Sequence, residues 1–472
     1  MSIVMLISLI IISLKKENYK NLMQMVILGY IITIVIIYES VINTEIGVFI
    51  WNYNIKLDNM TVLLKIIVLL FMINYIYIGK RFFDYEKMYI KEYIILILIA
   101  IISVLIIMMS REFFILYLAI ELQNLILYIL TSLRRWRSKS IEGGMKYYIM
   151  GSFSSGLLIY GIIMLWGYFG TLDYIEINYI IQDITLKELE FNYIKYMCFF
   201  LLIGLLFKLG VAPFHWWVPE IYEGAPIIVT LFFSIIPKLS LIVILYNIYI
   251  YILIYLNWFF SFIFFIVCIF SLILGFIYSL YQKKIIKFLA YSSIFNAGFF
   301  MACFNNGTYL SLISVMYFFI PYMFLLLGIF FFLIVFRKIR YEKINLLWDL
   351  SLVANSNMLL GFIIAILFFA LAGIPPLSGF FGKFFILLSL FLNNNFLLFF
   401  ILMFFSVISS FYYFRVIRFL FFSNKLDYIF LKPYLNVTLL SIYVFIAVFF
   451  ILFFDYIYLF FFNFLSFSNL VI

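Results

Sequence analysis

Charge is what this 472-residue chain has least of: 11% of its residues are Asp, Glu, Lys or Arg, against 68% that are hydrophobic. A soluble domain of this length needs far more polar surface to cover its core, so a soluble fold is excluded. Histidine occurs once, at His215, which excludes a multi-histidine haem or metal site. The three cysteines, Cys198, Cys268 and Cys303, lie far apart inside apolar runs. They match no zinc or iron–sulfur spacing and read as small buried hydrophobes. Proline numbers only 8, so where it falls is informative. No cleavable leader is expected, because the first apolar run, about Ser2 to Leu14, lacks a basic start and a small-residue cleavage site.

Aromatic residues are plentiful, with 63 Phe and 38 Tyr. Together with abundant Ile and Asn, they are the residues an AT-rich genome over-supplies, which points to organellar coding. The apolar residues come in runs of roughly 20, the length a helix needs to cross hydrocarbon. The alternating segments of about 10 residues that mark a membrane β-barrel are absent. A net charge of +10 would suit nucleic-acid binding. The basic residues, however, sit in short loops between apolar runs, so membrane topology explains them and no nucleic-acid partner is expected.

About 14 apolar segments can be marked, most of them near the spanning length and the first one short. They begin near Ser2, Asn21, Met60, Tyr93, Phe113, Met145, Tyr196, Ile227, Leu253, Ile285, Tyr309, Ser356, Phe396 and Tyr434. Basic residues follow segments 1 (Lys15, Lys16, Lys20), 3 (Lys80, Arg81, Lys87, Lys91), 5 (Arg134, Arg135, Arg137, Lys139), 9 (Lys283, Lys284, Lys287), 11 (Arg337, Lys338, Arg340, Lys343) and 13 (Arg415, Arg418, Lys425, Lys432). The loop after segment 6 is largely acidic, with Asp173, Glu176, Asp183, Glu188 and Glu190. Lys and Arg stay on the side where insertion begins. Odd-numbered loops therefore face the cytoplasm or matrix, and both termini face the opposite side. One loop breaks the pattern: the loop after segment 7 holds Glu220 and Glu223 and no basic residue.

Four charges lie inside segments rather than at their ends: Glu121 in segment 5, Lys208 in segment 7, Lys238 in segment 8 and Lys383 in segment 12. A charge at mid-bilayer costs at least ~2.5–3.5 kcal/mol. One such residue can snorkel to the interface, but four central ones must face protein, a partner or water. Removal from water disfavours an ammonium group and a nearby carboxylate favours it, so a lysine with a movable glutamate partner can load and release a proton. Static ion pairs that fix helix packing are the other reading. In segment 8, Thr230, Ser234 and Lys238 share one face by their i, i+4, i+8 spacing, and Pro237 loosens the backbone beside the lysine. That stripe suits a hydrated path or a plain helix–helix hydrogen-bonding face.

Segment 7 contains Gly210 and Pro213, and segment 12 contains Gly373, Pro375, Pro376, Gly379 and Gly382. Irregular backbone at membrane depth survives only beside protein or water, and paired interruptions mark the ion path in transporters built from inverted repeats. Segments 7 and 12 are five helices apart, so segments 4–8 and 9–13 would be inverted copies. The expected division is an N-terminal three-helix part at 1–92, repeats at 93–250 and 251–425, and a C-terminal helix at 426–472. Lys208 lies five residues before Pro213 whereas Lys383 lies eight after Pro375, so the break recurs and the lysine does not.

Several stretches carry a family resemblance. ELQNLILYIL (Glu121–Leu130), the helix from Gly143 to Thr171, FKLGVAPFHWWVPEIYEGAPIIVTLFFSIIPK (Phe207–Lys238), IIKFLAYSSIFNAGFF (Ile285–Phe300) and LAGIPPLSGFFGKFFIL (Leu371–Leu387) occur in that order. They resemble the antiporter-like membrane subunits of respiratory complex I, most closely subunit 2, called subunit N in bacteria, over roughly residues 110–390. The runs Val218–Pro226 and Ser154–Gly161 suit subunit 2 better than its siblings 4 and 5. The resemblance implies an all-α integral membrane protein of about 14 transmembrane helices, with two inverted five-helix repeats and broken helices 7 and 12. It implies a proton-translocating subunit of NADH:ubiquinone oxidoreductase in the mitochondrial inner membrane, partnered by other membrane-arm subunits and lipid. NADH, FMN, iron–sulfur clusters and ubiquinone would belong to other subunits, with no cofactor or metal in this chain. Glu121, Lys208, Lys238 and Lys383 match the family's proton-relay residues, and the resemblance implies that Lys208 pairs with Glu121. His215 matches a family histidine whose role is relay or hinge. A subunit of a Na⁺/H⁺ antiporter and a purely structural membrane-arm subunit are the alternatives.

Overall fold

In hydrocarbon every backbone N–H and C=O must find a partner within the protein, and helices achieve this locally. The computed structural model describes residues 19–43, 48–50, 54–86, 90–184, 188–305, 307–338, 343–422, 429–430 and 435–449, and these are overwhelmingly helical. The first apolar segment lies outside the described residues. In chain order the helices are α1 (Tyr19–Asn43), α2 (Asn59–Tyr85), α3 (Ile90–Met109), α4 (Phe113–Ser132), α5 (Ser138–Phe169), α6 (Tyr174–Ile184), α7 (Glu188–Leu209), α8 (Trp217–Gly224) and α9 (Ile227–Tyr251). They continue as α10 (Asn257–Tyr281), α11 (Ile285–Phe304), α12 (Tyr309–Val335), α13 (Ser351–Ser356), α14 (Met358–Ala372), α15 (Ser378–Leu392), α16 (Phe396–Phe422) and α17 (Leu435–Phe449). Two short antiparallel pairings, Val48–Ile50 with Ile55–Leu57 and Arg337–Lys338 with Ile429–Phe430, tie loops together. Among the described residues, 10 helices are long and apolar enough to cross a membrane. The chain is a multi-pass helical membrane protein.

Helix boundaries depart from the apolar runs in three places. α5 begins at Ser138 and α7 at Glu188, several residues before their hydrophobic stretches. At the start of α5 an i,i+4 pair, Lys146 with Glu142 at 2.7 Å, supports the helix in its polar first turns. The acidic loop after segment 6 contains α6, which buries Tyr174, Ile177 and Ile181 along one stripe. Segment 12 is two helices, α14 and α15, separated by a break at Gly373–Leu377. Segment 7 is likewise α7 and α8, separated at Gly210–Trp216.

The described residues fall into two compact units, one of 19–209 with 224–259 and the other of 210–223 with 260–449. In the first, α9 is enclosed on all sides, as an all-round apolar helix must be. Close backbone approach welds α5 to α7: a Cβ on Gly161 would stand 2.6 Å from the Leu201 amide nitrogen, and one on Gly204 would stand 2.8 Å from Leu158 Cβ. In the second unit α10 and α11 do the same, with Gly275 2.7 Å from the Phe295 amide nitrogen by the same measure. Small residues let membrane helices approach where no hydrophobic force drives them together. At the ends of α10, Trp258 is 90% and Tyr281 76% exposed, the placement of interfacial aromatic anchors.

Loop contacts respect the alternation expected from the charge pattern. In the first unit, Arg134 of loop 5 pairs with Glu86 of loop 3 at 3.0 Å. On the other side Arg111 of loop 4 pairs with Asp173 of loop 6 at 2.8 Å, and Lys56 of loop 2 reaches the Tyr251 hydroxyl of loop 8 at 3.3 Å. In the second unit, Glu223 of loop 7 is bonded by Lys284 and, at 2.9 Å, by Lys287, both from loop 9. The basic residues missing from loop 7 are thus supplied by loop 9. Asn393 of loop 12 bonds Thr308 of loop 10 at 2.6 Å. Odd loops meet odd loops, and even loops meet even.

An impermeant thiol reagent applied to membranes of known orientation should label Arg137→Cys and Asn192→Cys from opposite sides. Lys283→Cys and Asn394→Cys should behave the same way. Labelling of either pair from one side would refute the topology.

Candidate functional site

α4 places Glu121 opposite the last turn of α7, where Lys208 stands. Lys208 Nζ donates to Glu121 Oε1 at 3.3 Å, and Asn124 Nδ2, one turn along α4, lies at 3.3 Å from the same oxygen. The lysine side chain is 6% exposed and the glutamate 25%. Lys208 also sits beside the carbonyl end of α7, whose dipole favours a cation. Immediately beyond it, Gly210 takes φ +68°, in the left-handed region glycine tolerates.

Lys238 lies within α9 and is buried, as are Thr230 and Ser234 on the same face. The two hydroxyls donate to their own helix, Thr230 Oγ1 to the Ile227 carbonyl at 2.7 Å and Ser234 Oγ to the Leu231 carbonyl at 2.8 Å. The helix runs unbroken through Pro237, although the proline ring cannot donate to the Phe233 carbonyl. The looser backbone expected there does not interrupt the helix, which is buried on all sides.

Lys383, buried in α15, turns back across the break of segment 12. Its Nζ donates to the Ala372 carbonyl at 2.9 Å and to Ser409 Oγ of α16 at 3.0 Å, with the Phe299 ring 5.6 Å away. Ala372 is the last residue of α14, so this ammonium also caps the negative end of a half-helix. Gly373 has φ +82°, and a Cβ there would meet Lys383 Cδ at 3.0 Å. The two breaks share a register, a left-handed glycine three residues before a proline (Gly210–Pro213 and Gly373–Pro376), whereas the lysines approach from opposite halves.

His215 stands in the turn between Gly210 and α8, 4% exposed, with Nδ1 lacking a hydrogen-bond partner and its ring 5.5 Å from that of Trp216. The structure thus joins Glu121 to Lys208, places Lys238 in the core of the same unit, and sets Lys383 at a separate break in the other. Asn124, the Ser409 hydroxyl and the Ala372 carbonyl complete these sites. A uniform apolar pattern does not mark them, since their roles depend on which helices touch. A further lysine, Lys65 of α2, is 6% exposed. It lies close enough to the start of its segment to read as a boundary charge. Among the described residues no group of three or more His, Cys, Asp or Glu is arranged to hold a metal.

Helical spans interrupted at glycine–proline breaks, with lysines set against the half-helix ends, define an antiporter-like membrane protein. The comparisons agree. Residues 110–409 match the NADH:quinone oxidoreductase/Mrp antiporter transmembrane family, and the chain belongs to that family. NADH-ubiquinone oxidoreductase chain 2 of Marchantia polymorpha is 33% identical over 449 residues, 93% of this chain and 90% of the relative. NADH-quinone oxidoreductase subunit N of Pelagibacter ubique is 30% identical over 421 residues, 88% of this chain and 87% of the relative. The fold matches a chain in the structure of respiratory complex I from Thermus thermophilus with bound aureothin, at a TM-score of 0.77 and 19% identity over 95% of each chain. It also matches a chain of the membrane-bound sulfane sulfur reductase, an archaeal respiratory membrane complex, at a TM-score of 0.80 and 18% identity over 98% of this chain and 95% of that one.

Gly373→Ala tests the second break. A left-handed alanine costs roughly 1–2 kcal/mol, and its methyl would crowd Lys383. The expected outcome is a lower melting temperature of the detergent-solubilised assembly. Unchanged melting would show that the break tolerates a side chain.

Proposed function

We propose that this chain is a proton-carrying subunit in the membrane arm of NADH:ubiquinone oxidoreductase, seated in the mitochondrial inner membrane. On this reading NADH oxidation and quinone reduction take place on other subunits, and both chain termini face the intermembrane space. The names of its relatives and their near full-length alignment support the assembly. The AT-rich composition and the plant relatives support the compartment.

The observation that carries the mechanism is the Glu121–Lys208 contact at the end of α7. Opposite charges about 4 Å apart attract by about 4 kcal/mol at an effective dielectric of 20, and by about half that at twice the distance. Opening the pair by a few ångströms therefore weakens the hold on the Lys208 proton by roughly tenfold or more. Quinone reduction elsewhere opens and closes the pair. The released proton passes through bound water to Lys238, then to Lys383 and out, with His215 available as a further relay. Glycine–proline breaks beside Lys208 and Lys383 leave backbone carbonyls free to hold the cation in transit.

Lys208→Met should lower the protons pumped per electron in assembled complex, and unchanged stoichiometry would refute the relay. Glu121→Gln should reduce coupled activity while assembly survives; loss of assembly instead would favour a static ion pair. The matched family also embraces Mrp antiporters. Purification in mild detergent with small antiporter subunits rather than redox subunits would move the chain to that branch.

A further inference from the structure

The relay leaves one polar side chain at the Glu121–Lys208 contact without a task. Asn124 lies three residues after Glu121, so the two share a face of α4. It is buried in the middle of that 20-residue helix, at membrane depth. An amide without a partner is costly there, and Leu, which this chain uses freely, would fill nearly the same volume at no polar cost. The amide does have a partner: its Nδ2 lies 3.3 Å from Glu121 Oε1.

The hydrogen bonds at this contact are unequal. Among the described residues, the Glu121 carboxylate accepts from two donors, Lys208 Nζ and Asn124 Nδ2, both at 3.3 Å and both on Oε1. Lys208 Nζ, by contrast, donates to Glu121 alone. The two donors also differ in attachment. Asn124 rides on the same helix as the carboxylate, one turn away, whereas Lys208 belongs to α7. When α4 and α7 separate, the ammonium loses its acceptor and the carboxylate keeps a donor. A donor to a carboxylate favours its charged form. Without that donor, the opened pair has a competing course: the Lys208 proton crosses to Glu121 and leaves a neutral amine beside a neutral acid. Removal from water favours both neutral forms, so a proton caught on Glu121 travels no further.

We propose that Asn124 is the positioning residue of this pair: its amide holds Glu121 as a carboxylate when the pair opens, so that the Lys208 proton leaves along the relay and does not cross to Glu121. The inference rests on the proton-carrying reading above and deepens it. In the step, one N–H bond of Lys208 breaks, the nitrogen keeps the electron pair, and the proton passes to a water on the way to Lys238. Glu121 stays ionised and bonded to Asn124. The pair therefore goes from no net charge to one negative charge until Lys208 is loaded again, and that retained charge draws the lysine back to α4.

The test uses assembled complex carrying Asn124→Leu, which is close to asparagine in size and has no donor. Capture of the proton by Glu121 should rise about tenfold, the weight of one hydrogen bond to a charged group. The proton-to-electron ratio should fall, with NADH oxidation by a soluble acceptor and the yield of assembled complex unchanged. Infrared difference spectra taken on quinone reduction should gain the carbonyl stretch of a protonated carboxyl group, over those of the unsubstituted complex. Adding Glu121→Gln should remove that band. Asn124→Gln keeps the amide and should restore the ratio without the band. If Asn124→Leu does not assemble, Asn124→Ala is read by the same two measurements. A full ratio with no added band would overturn the inference. So would equal losses in the leucine and glutamine substitutions, the mark of packing alone. Lys208→Met separates the two readings: pumping that survives it removes the relay and this inference together. Pumping lost with Lys208→Met but kept with Asn124→Leu overturns this inference and leaves the relay standing.

Discussion

An ammonium group is stable in hydrocarbon only where something replaces its water; here a carboxylate does so for Lys208 and a helix-end carbonyl with a hydroxyl for Lys383. α7 stops one residue after Lys208, and α14 stops at Ala372, whose carbonyl accepts from Lys383. Both stops are held by a glycine in the left-handed region, Gly210 and Gly373. The break at Gly373 is therefore part of the solvation of Lys383, and the one at Gly210 places Lys208 in the last turn of its helix. Each exposes carbonyls that an uninterrupted helix would use internally. Lys238 is the contrasting case, lodged in an unbroken helix with Thr230 and Ser234 on the same face.

Similarity between the two breaks is a similarity of electric field more than of residue register. If the glycine–proline turns are superposed, Lys208 corresponds to Leu371 and Lys383 to Glu220. One lysine belongs to the half-helix that ends at its break, and the other reaches back from the half that follows. The outcome is the same, a cation against the negative end of a half-helix. The family match across residues 110–409 covers both breaks, which is the part of the chain where ion chemistry is concentrated.

Much of the architecture could be read from hydropathy and charge, because both follow from the bilayer itself. Segments beginning at Phe113, Ile227, Ile285, Tyr309 and Phe396 coincide with helix starts, since loops there are short and polar. The starts of α5 and α7 were not legible, because hydrogen bonding carries a helix past the edge of the hydrocarbon. α6 was hidden by its acidic composition. The Glu121–Lys208 contact joins residues 87 positions apart, and no local pattern pairs them; the family resemblance did. Ser409 looks like an ordinary member of an apolar run. Only the packing of α15 against α16 shows that its hydroxyl meets Lys383.

The hydroxyls of Thr230 and Ser234 have already committed their hydrogens to the carbonyls one turn back. What they turn outward is lone pairs alone. The stripe leading to Lys238 is therefore chemically one-sided: it can coordinate an ammonium or a hydrated proton, and it has nothing to offer an anion. That face offers a cation oxygen acceptors from two neutral side chains, and does so with the least costly polar side chains a membrane helix can carry.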